Sequence, residues 1–260
     1  MLLNAVIIIL REVIEASLII SLFLAYSQIF KHDRTWLLKA LIFGLISAVV
    51  YAINIGVVSL WFEGVGQEII NAGIQTIIYL VLLIFLIAVM RPRTALNKSI
   101  LTAMMMTGVI FAAVREGSEI ILYIHGFVTV PELLQSVLLG SAIGGGIGVS
   151  IGVCIYYLLI NMPVKISVSV AYMLIVLVAG SMVSQTIQQL TQADWISSQY
   201  PLWDTSSLIS EHSVTGQLLY AVIGYEATPT AIQVTAYLSS LIIIILLSGY
   251  SWHYYRKFQK

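Results

Sequence analysis

Two short stretches of this sequence place one arginine and two glutamates inside otherwise apolar segments. They read Arg-Glu-Val-Ile-Glu at residues 11–15 and Arg-Glu-Gly-Ser-Glu at residues 115–119. A charged group near the centre of a bilayer costs about 3 kcal/mol on insertion scales. Six such groups in two apolar segments therefore indicate mutual pairing and a functional site.

On an α-helix the two glutamates of each motif lie three residues apart and share one face. The arginine lies four residues before the second glutamate, so the two side chains can pair along the helix. If the two motifs face each other, they bring together six charged side chains: Glu12, Glu15, Glu116 and Glu119, with Arg11 and Arg115 beside them.

Four carboxylates offer up to eight oxygen ligands, and the two arginines lower the formal charge of the group from −4 to −2. Hard, highly charged cations prefer oxygen donors, whereas copper(I) or zinc would favour Cys, Met or His. The motif pair therefore predicts a site for a cation such as Fe³⁺. Without a cation, four carboxylates this close take up protons in coupled steps, so metal entry should release protons.

The segments that carry the motifs must be membrane helices. Of the 260 residues, 60% are hydrophobic and 9% charged, and the mean hydropathy is +0.99. A water-soluble domain cannot present this composition without exposing a large apolar surface. The zero net charge excludes a polybasic nucleic-acid binder, and the single cysteine, Cys154, excludes a disulfide framework.

A bilayer core takes roughly 20 helical residues to cross. Long apolar runs predict seven transmembrane helices, at 3–30, 36–60, 68–90, 99–128, 133–160, 166–190 and 229–251. A longer polar segment, 191–213, is followed by a short apolar stretch, 214–223, and we expect residues 207–223 to form an interfacial or re-entrant helix. The predicted fold class is an all-α polytopic membrane protein, with residues 1–260 as one transmembrane domain.

Basic residues predict the orientation, because cytoplasmic loops retain Lys and Arg. Ten of the twelve basic residues follow the first, third, fifth and seventh predicted spans: Lys31, Arg34, Lys39, Arg91, Arg93, Lys98, Lys165, Arg256, Lys257 and Lys260. The N-terminus is therefore predicted outside and the C-terminus inside.

The first span then runs inward and the fourth outward, and both motifs lie at one depth near the middle of the membrane. This arrangement predicts two three-helix halves of opposite topology, 1–90 and 99–190, with the substrate site between them. Residues 191–260 would add an outer loop, the short helix and the last span. Gly140, Gly144, Gly148 and Gly152 lie four residues apart, which predicts close helix contact at a subunit or repeat interface.

Other polar residues near the predicted outer surface have two interpretations each. Glu63, Glu68, Asp204 and Glu226 either guide cations to an outer entrance or are solvated loop residues. His125 and Tyr123 lie one to two turns outward of Glu119, where each is either an additional, transient ligand or an ordinary buried side chain.

The doubled motif resembles that of the high-affinity ferric iron permease family, which includes fungal iron permeases and bacterial iron-uptake permeases. The stretches 201–206 (Pro-Leu-Trp-Asp-Thr-Ser), 216–219 (Gly-Gln-Leu-Leu) and 224–229 (Gly-Tyr-Glu-Ala-Thr-Pro) are also similar to the family's segment before its last span. Two positions differ from its usual pattern: Val13-Ile14 replace a Gly and a small or apolar residue, and Asn71 stands where a second acid is expected after Glu68.

The resemblance implies that iron binds the four motif glutamates and is the transported substrate, with no catalytic turnover and no prosthetic group. It also implies partners outside the membrane: an iron-oxidising enzyme, such as a multicopper oxidase or a haem peroxidase, and an iron-binding protein. Assembly into a homo-oligomer stays open. The alternatives are a divalent-cation or proton-coupled cation transporter, and a membrane-bound di-iron oxidase, although the Glu-x-x-His pattern of such bundles is absent.

Overall fold

The computed structural model describes residues 1–90, 98–211 and 213–257, with side chains as far as residue 253. Within these residues the chain forms eight α-helices and a short 3₁₀ turn at Trp61–Gly64. The helices are α1 Leu2–Ile29, α2 Thr35–Val58, α3 Gly66–Val89, α4 Lys98–His125, α5 Pro131–Asn161, α6 Val164–Gln192, α7 Val214–Ile223 and α8 Ala231–Lys257. Extended pairing in these ranges is limited to one antiparallel bridge between Pro201 and Thr230. The predicted all-helical fold is confirmed.

Six of the helices, α2 to α6 and α8, are long and apolar enough to cross a bilayer. The chain is therefore an integral membrane protein. Helix α1 is also long, at 28 residues, but Arg11, Glu12 and Glu15 interrupt its apolar sequence. The count of seven spans stays a prediction.

The orientation also stays a prediction, because it depends in part on basic residues outside the described chain. Arg91, Arg93 and Lys260 lie outside the described residues, and the side chains of Arg256 and Lys257 are not described either.

The short helix α7 begins at residue 214, where the apolar stretch starts, and not at residue 207 as we predicted. Ser213 is its N-cap, and its hydroxyl accepts a hydrogen bond from the backbone N–H of Gly216 at 3.0 Å. Gly224 ends the helix with φ of 68°, in the left-handed region that glycine adopts without strain. These two caps hold α7 to ten residues, too few to cross a bilayer.

Small residues let the motif helices pack closely against their neighbours. The glycine stripe of α5 lies on α1, where a β-carbon at Gly144 would come within 2.5 Å of the backbone oxygen of Val6. The close helix contact predicted from this stripe is confirmed, and it lies within the chain. Helix α2 packs against α4 in the same way, since a β-carbon at Gly44 would lie 2.7 Å from Cβ of Ala113.

The apolar core fills one half of the helix bundle. It contains Leu18 to Phe23 of α1, Ile78 to Leu86 of α3, Met105 and Val109 of α4, and Ile175 to Met182 of α6. In α1 and α4 these residues lie on the same side of the charged motif, towards the helix end that the sequence predicts to be cytoplasmic. Polar side chains therefore concentrate in the other half, where α1, α4, α6 and α7 surround the motifs.

Candidate metal site

The two charged motifs contact each other directly. Nη1 of Arg115 on α4 lies 2.9 Å from Oε2 of Glu15 on α1, and both side chains are almost fully buried. The same Nη1 atom donates to Oε1 of Glu116 at 2.5 Å. Helices α1 and α4 thus bring the motifs together, as the sequence predicts for motifs that face each other.

Pairing along each helix is present but is not the shortest contact. Arg11 lies 3.8 Å from Glu15 and Arg115 lies 3.6 Å from Glu119, both at a spacing of four residues. Shorter contacts join Arg11 to Glu12, at 3.0 Å, and Arg115 to Glu15 of the other helix. The motifs are therefore one connected charge network rather than two self-neutralising units.

Three of the four motif glutamates form a group that could hold a metal ion. One carboxylate oxygen from each of Glu12, Glu116 and Glu119 lies within 4.8 Å of the others. Glu12 and Glu116 are each 3% exposed, and each has one buried oxygen, Oε2, with no hydrogen-bond partner. Because oxygen ligands bind a hard cation at about 2.0–2.6 Å, this spacing suits an ion between the three groups.

Glu15 is not part of this group, because its carboxylate is hydrogen-bonded to Arg115 and Gln185. Its Oε2 atom accepts hydrogen bonds from Arg115 at 2.9 Å and from the side-chain amide of Gln185 at 3.2 Å. The sequence pattern treats the four glutamates as equivalent ligands, whereas the geometry separates three converging carboxylates from a fourth that faces Arg115.

A polar cavity of about 400 Å³ lies beside the carboxylate group. Every residue that lines it is polar: Arg11, Arg115, Glu119, Gln188, Gln189, Gln192, Glu211, Gln217, Tyr220, Glu226, Thr228, Thr230 and Gln233. Glu119 belongs both to the carboxylate group and to the cavity wall, so it connects the two. Arg11 also lies 5.0 Å from the ring centre of Tyr220 on α7, a cation–π contact that places α7 against the motifs.

Sequence reasoning missed the glutamines of α6. Gln185, Gln188, Gln189 and Gln192 recur at intervals of three and four residues, and this spacing places them on one helix face. Three of them line the cavity, and Gln185 contacts Glu15. The signal was present as polar side chains with helical periodicity at the end of an apolar span.

Of the four residues expected near an outer entrance, Glu226 lines the cavity. Glu63 is exposed and adopts a left-handed backbone conformation with φ of 66°, and Glu68 is half-buried in the first turn of α3. Asp204 is exposed and accepts a hydrogen bond from the backbone N–H of Ser206 at 2.8 Å. These three residues are not part of the cavity lining.

Two further expectations concern residues near the end of α4. His125 is the last residue of this helix and is exposed, and the ring of Tyr123 packs edge-on against Phe127 at 5.3 Å between centroids.

Asn71 on α3, which stands where a second acid was expected, is buried and accepts a hydrogen bond from the hydroxyl of Tyr51 at 3.3 Å.

The acidic residues of the outer connection differ in their electrostatic environment. Burial, together with the nearby charge of Glu211, raises the pKa of Glu226 to about 7. Glu211 itself accepts a hydrogen bond from the backbone N–H of Ala227 at 2.6 Å. By contrast, hydrogen bonds from Ser206 hold the pKa of Asp204 below its usual range. Among the described residues of this connection, Glu226 is therefore a carboxylate whose charge changes near neutral pH.

Membrane-crossing helices with buried carboxylates beside a polar cavity are typical of a protein that transports ions. Residues 89–256, more than half of the chain, match the Iron permease FTR1 family. The chain therefore belongs to this family. The matched range includes the second motif, while the first lies before it. No curated protein and no solved structure matches the chain.

Proposed function

We propose that this permease imports ferric iron through a site in which Glu12, Glu116 and Glu119 are the ligands. Glu15, Arg11 and Arg115 adjust the charge around the ion. The observation that carries the proposal is the convergence of three carboxylates within 4.8 Å, with Glu119 also on the wall of a polar cavity. Hard oxygen donors of this kind suit Fe³⁺, and the family supplies iron as the transported substrate.

The cavity would admit the ion with part of its water shell. Since a water molecule occupies about 30 Å³ in the liquid, a cavity of about 400 Å³ has room for several waters around a cation. Glu226, with Glu211, forms the acidic entrance, and the glutamines of α6 offer amide oxygens along the way. Glu119, whose side chain is 23% exposed, then receives the ion before the buried Glu12 and Glu116.

We also propose the membrane arrangement that the sequence predicts: seven spans, the N-terminus outside and the C-terminus inside, and two inverted halves. The packing of the motif helices supports it, since α1 lies on the small residues of α5 and α4 lies on those of α2. With this orientation the cavity faces outward, and the apolar core closes the cytoplasmic side. Import then requires the core helices to separate after the ion is bound.

The proposed setting is a bacterial inner membrane, where an oxidase or peroxidase and an iron-binding protein outside the membrane deliver oxidised iron to the cavity. The exposed apolar residues of α8, such as Ile242, Leu246 and Tyr250, face lipid or another copy of the chain. Native mass spectrometry of the detergent-purified chain would distinguish a monomer from a homo-oligomer.

A divalent-cation permease, with or without proton coupling, is the second candidate function. The observation that favours it is the formal charge of the network, because four glutamates and two arginines leave −2, which one divalent cation balances. A membrane-bound di-iron oxidase would need further nitrogen or oxygen ligands around a second iron, and the described part of the chain places no histidine in the carboxylate group.

The test is metal uptake into proteoliposomes that contain the purified chain. Fe³⁺ in a soluble chelate is compared with Fe²⁺ under reductant, with Glu12→Gln/Glu116→Gln as the site variant and exposed Glu132→Gln as the matched control. We expect Fe³⁺ uptake by the native chain and the control, and at least about a tenfold loss in the site variant. Uptake of Fe²⁺ alone would support the divalent alternative, and equal uptake by the site variant would refute the ligand assignment.

A further inference from the structure

A chain of buried amide groups leads from α3 to the motif network. The side-chain amide of Gln75 on α3 donates to Oε1 of Gln185 on α6 at 2.9 Å. The amide of Gln185 in turn donates to Oε2 of Glu15 on α1 at 3.2 Å. Gln75 is 0% exposed and Gln185 is 1% exposed, so water does not replace either hydrogen bond.

The direction of this chain is fixed by the chemistry of the amide group, which has one donor side and one acceptor side. Because the carbonyl oxygen of Gln185 accepts from Gln75, its NH₂ group is turned towards Glu15. The carbonyl oxygen of Gln75 is left buried without a hydrogen-bond partner. A buried unpartnered acceptor destabilises the fold, and an apolar side chain at this position would avoid it. The presence of a glutamine at position 75 therefore indicates a role for its NH₂ group, which donates to Gln185.

Arg115 contacts more carboxylates than one guanidinium can keep when an ion binds. It reaches Glu15 at 2.9 Å, Glu116 at 2.5 Å and Glu119 at 3.6 Å. A cation between Glu12, Glu116 and Glu119 attracts two of these partners and repels the guanidinium. Glu15 is then the partner that Arg115 retains, and it is the one glutamate of the four that Gln185 holds in place.

We infer that Gln185, oriented by Gln75, is a positioning residue for metal binding: it fixes Glu15 as the counter-charge of Arg115, and so frees Glu116 and Glu119 for the ion. This inference rests on the proposed function and deepens it, because it divides the four motif glutamates into three ligands and one holder of the arginine. Without the amide donor, Glu15 holds Arg115 less firmly, and the guanidinium competes with the ion for Glu116 and Glu119.

The test measures Ga³⁺ binding to the detergent-purified full chain by calorimetry, since Ga³⁺ is a hard trivalent ion without redox chemistry under these conditions. Gln185→Leu is expected to weaken binding about tenfold or more, the effect typical of residues that orient metal ligands. Thr186→Val is the matched control on the same helix, because the hydroxyl of Thr186 donates to the backbone oxygen of Met182 at 2.8 Å and not to a motif residue in the described part of the chain. The control should bind as the native chain does.

A double-mutant cycle separates positioning from general damage to the fold. In a Glu15→Gln background, Gln185→Leu should cause no further loss, because the charge that it positions is already absent. If Gln185→Leu fails to accumulate, Gln75→Leu takes its place in the cycle. The loss of Ga³⁺ affinity caused by Gln75→Leu should likewise disappear in the Glu15→Gln background. Native affinity in the Gln185 and Gln75 variants, or an equal loss in both backgrounds, would overturn the inference.

The same titration separates this inference from the proposed function. If Glu116→Gln and Glu119→Gln bind Ga³⁺ as tightly as the native chain, the proposed site itself is wrong. If they lose binding while Gln185→Leu keeps it, the site stands and only the role of Gln185 is refuted.

Discussion

Arg115 on α4 bonds to Glu15 on α1 at 2.9 Å, across 100 positions of sequence. One guanidinium therefore joins the two copies of the motif, and its other contacts, to Glu116 and Glu119, are within its own copy. Within the described residues, Arg11 forms its ion pairs with Glu12 and Glu15 of its own helix, and 30% of its side chain is exposed. The two arginines occupy matching sequence positions but different structural ones.

This difference predicts unequal tolerance to lysine. A lysine has one compact ammonium group and cannot reproduce the several contacts of a buried guanidinium. We expect Arg115→Lys to reduce iron uptake at least tenfold and to destabilise the fold by about 1–3 kcal/mol, because buried carboxylate oxygens lose hydrogen-bond donors. Arg11→Lys should keep most of the uptake, because one ammonium can still approach Glu12.

Proteoliposome uptake and thermal unfolding in detergent measure the two effects in parallel. Arg34→Lys, at an exposed position outside the helices, is the control for the substitution itself. Full uptake by both lysine variants would mean that charge alone matters at both positions, whereas equal losses would mean that the two guanidinium groups matter equally.

The sequence was sufficient to predict the helices and the meeting of the motifs, because both depend on local patterns. Apolar runs give helix positions to within a few residues, and charges in an apolar segment must find partners. The separation of Glu15 from the other three glutamates was not predictable. It depends on which rotamers place Arg115 and Gln185 next to Glu15, and these contacts arise only when α1, α4 and α6 pack together.

Neither the start of α7 nor the cavity was predicted correctly from the sequence. The predicted helix began at residue 207, but residues 207–213 are mostly polar, and Ser213 is the N-cap of a helix that begins at Val214. The cavity wall combines side chains from five parts of the chain, including Arg11, Gln188, Glu211 and Gln233. Only the glutamine spacing on α6 could have indicated it.

Iron uptake should depend on pH through Glu226. Its pKa is raised to about 7, so this carboxylate loses its charge as the pH falls through neutrality, whereas an ordinary glutamate stays ionised. Because a charged entrance attracts cations, the initial uptake rate of the native chain should be higher at about pH 8 than at about pH 6. Glu226→Gln should show a smaller dependence on pH over this range, and Glu132→Gln should behave as the native chain does.

The same group predicts the sign of a stability change. The pKa of Glu226 is higher in the folded chain than in the unfolded one, so its ionisation opposes folding, and stability falls as the pH rises from about 4.5 to about 7. Glu226→Gln removes this cost, so its melting temperature relative to the native chain should increase with pH. A difference that is constant across this range would show that Glu226 titrates as an ordinary carboxylate.

The predicted orientation can be tested with an impermeant thiol reagent. In a Cys154→Ser background, Asp204→Cys places a thiol on the proposed outer side and Lys165→Cys places one on the proposed inner side; both positions are exposed. We expect an impermeant maleimide to label Asp204→Cys in intact spheroplasts, and to label Lys165→Cys only after permeabilisation. The reverse pattern would show that the positive-inside rule fails for this chain.

The packing of α5 on α1 should control the metal site from a distance. A β-carbon at Gly144 would lie 2.5 Å from the backbone oxygen of Val6, whereas one at Gly145 meets no atom within 4 Å. Valine at either position brings the same change in helix propensity, so the difference between Gly144→Val and Gly145→Val isolates the helix contact. We expect Gly144→Val to destabilise the chain by at least about 1–3 kcal/mol, the usual cost of overpacking.

The same pair of variants tests the metal site. Because Val6 precedes Glu12 on the same helix by less than two turns, displacement of α1 by Gly144→Val should also weaken Ga³⁺ binding, while Gly145→Val should bind normally. Equal unfolding temperatures and equal affinities for the two variants would mean that α1 can move off α5 without moving its glutamates.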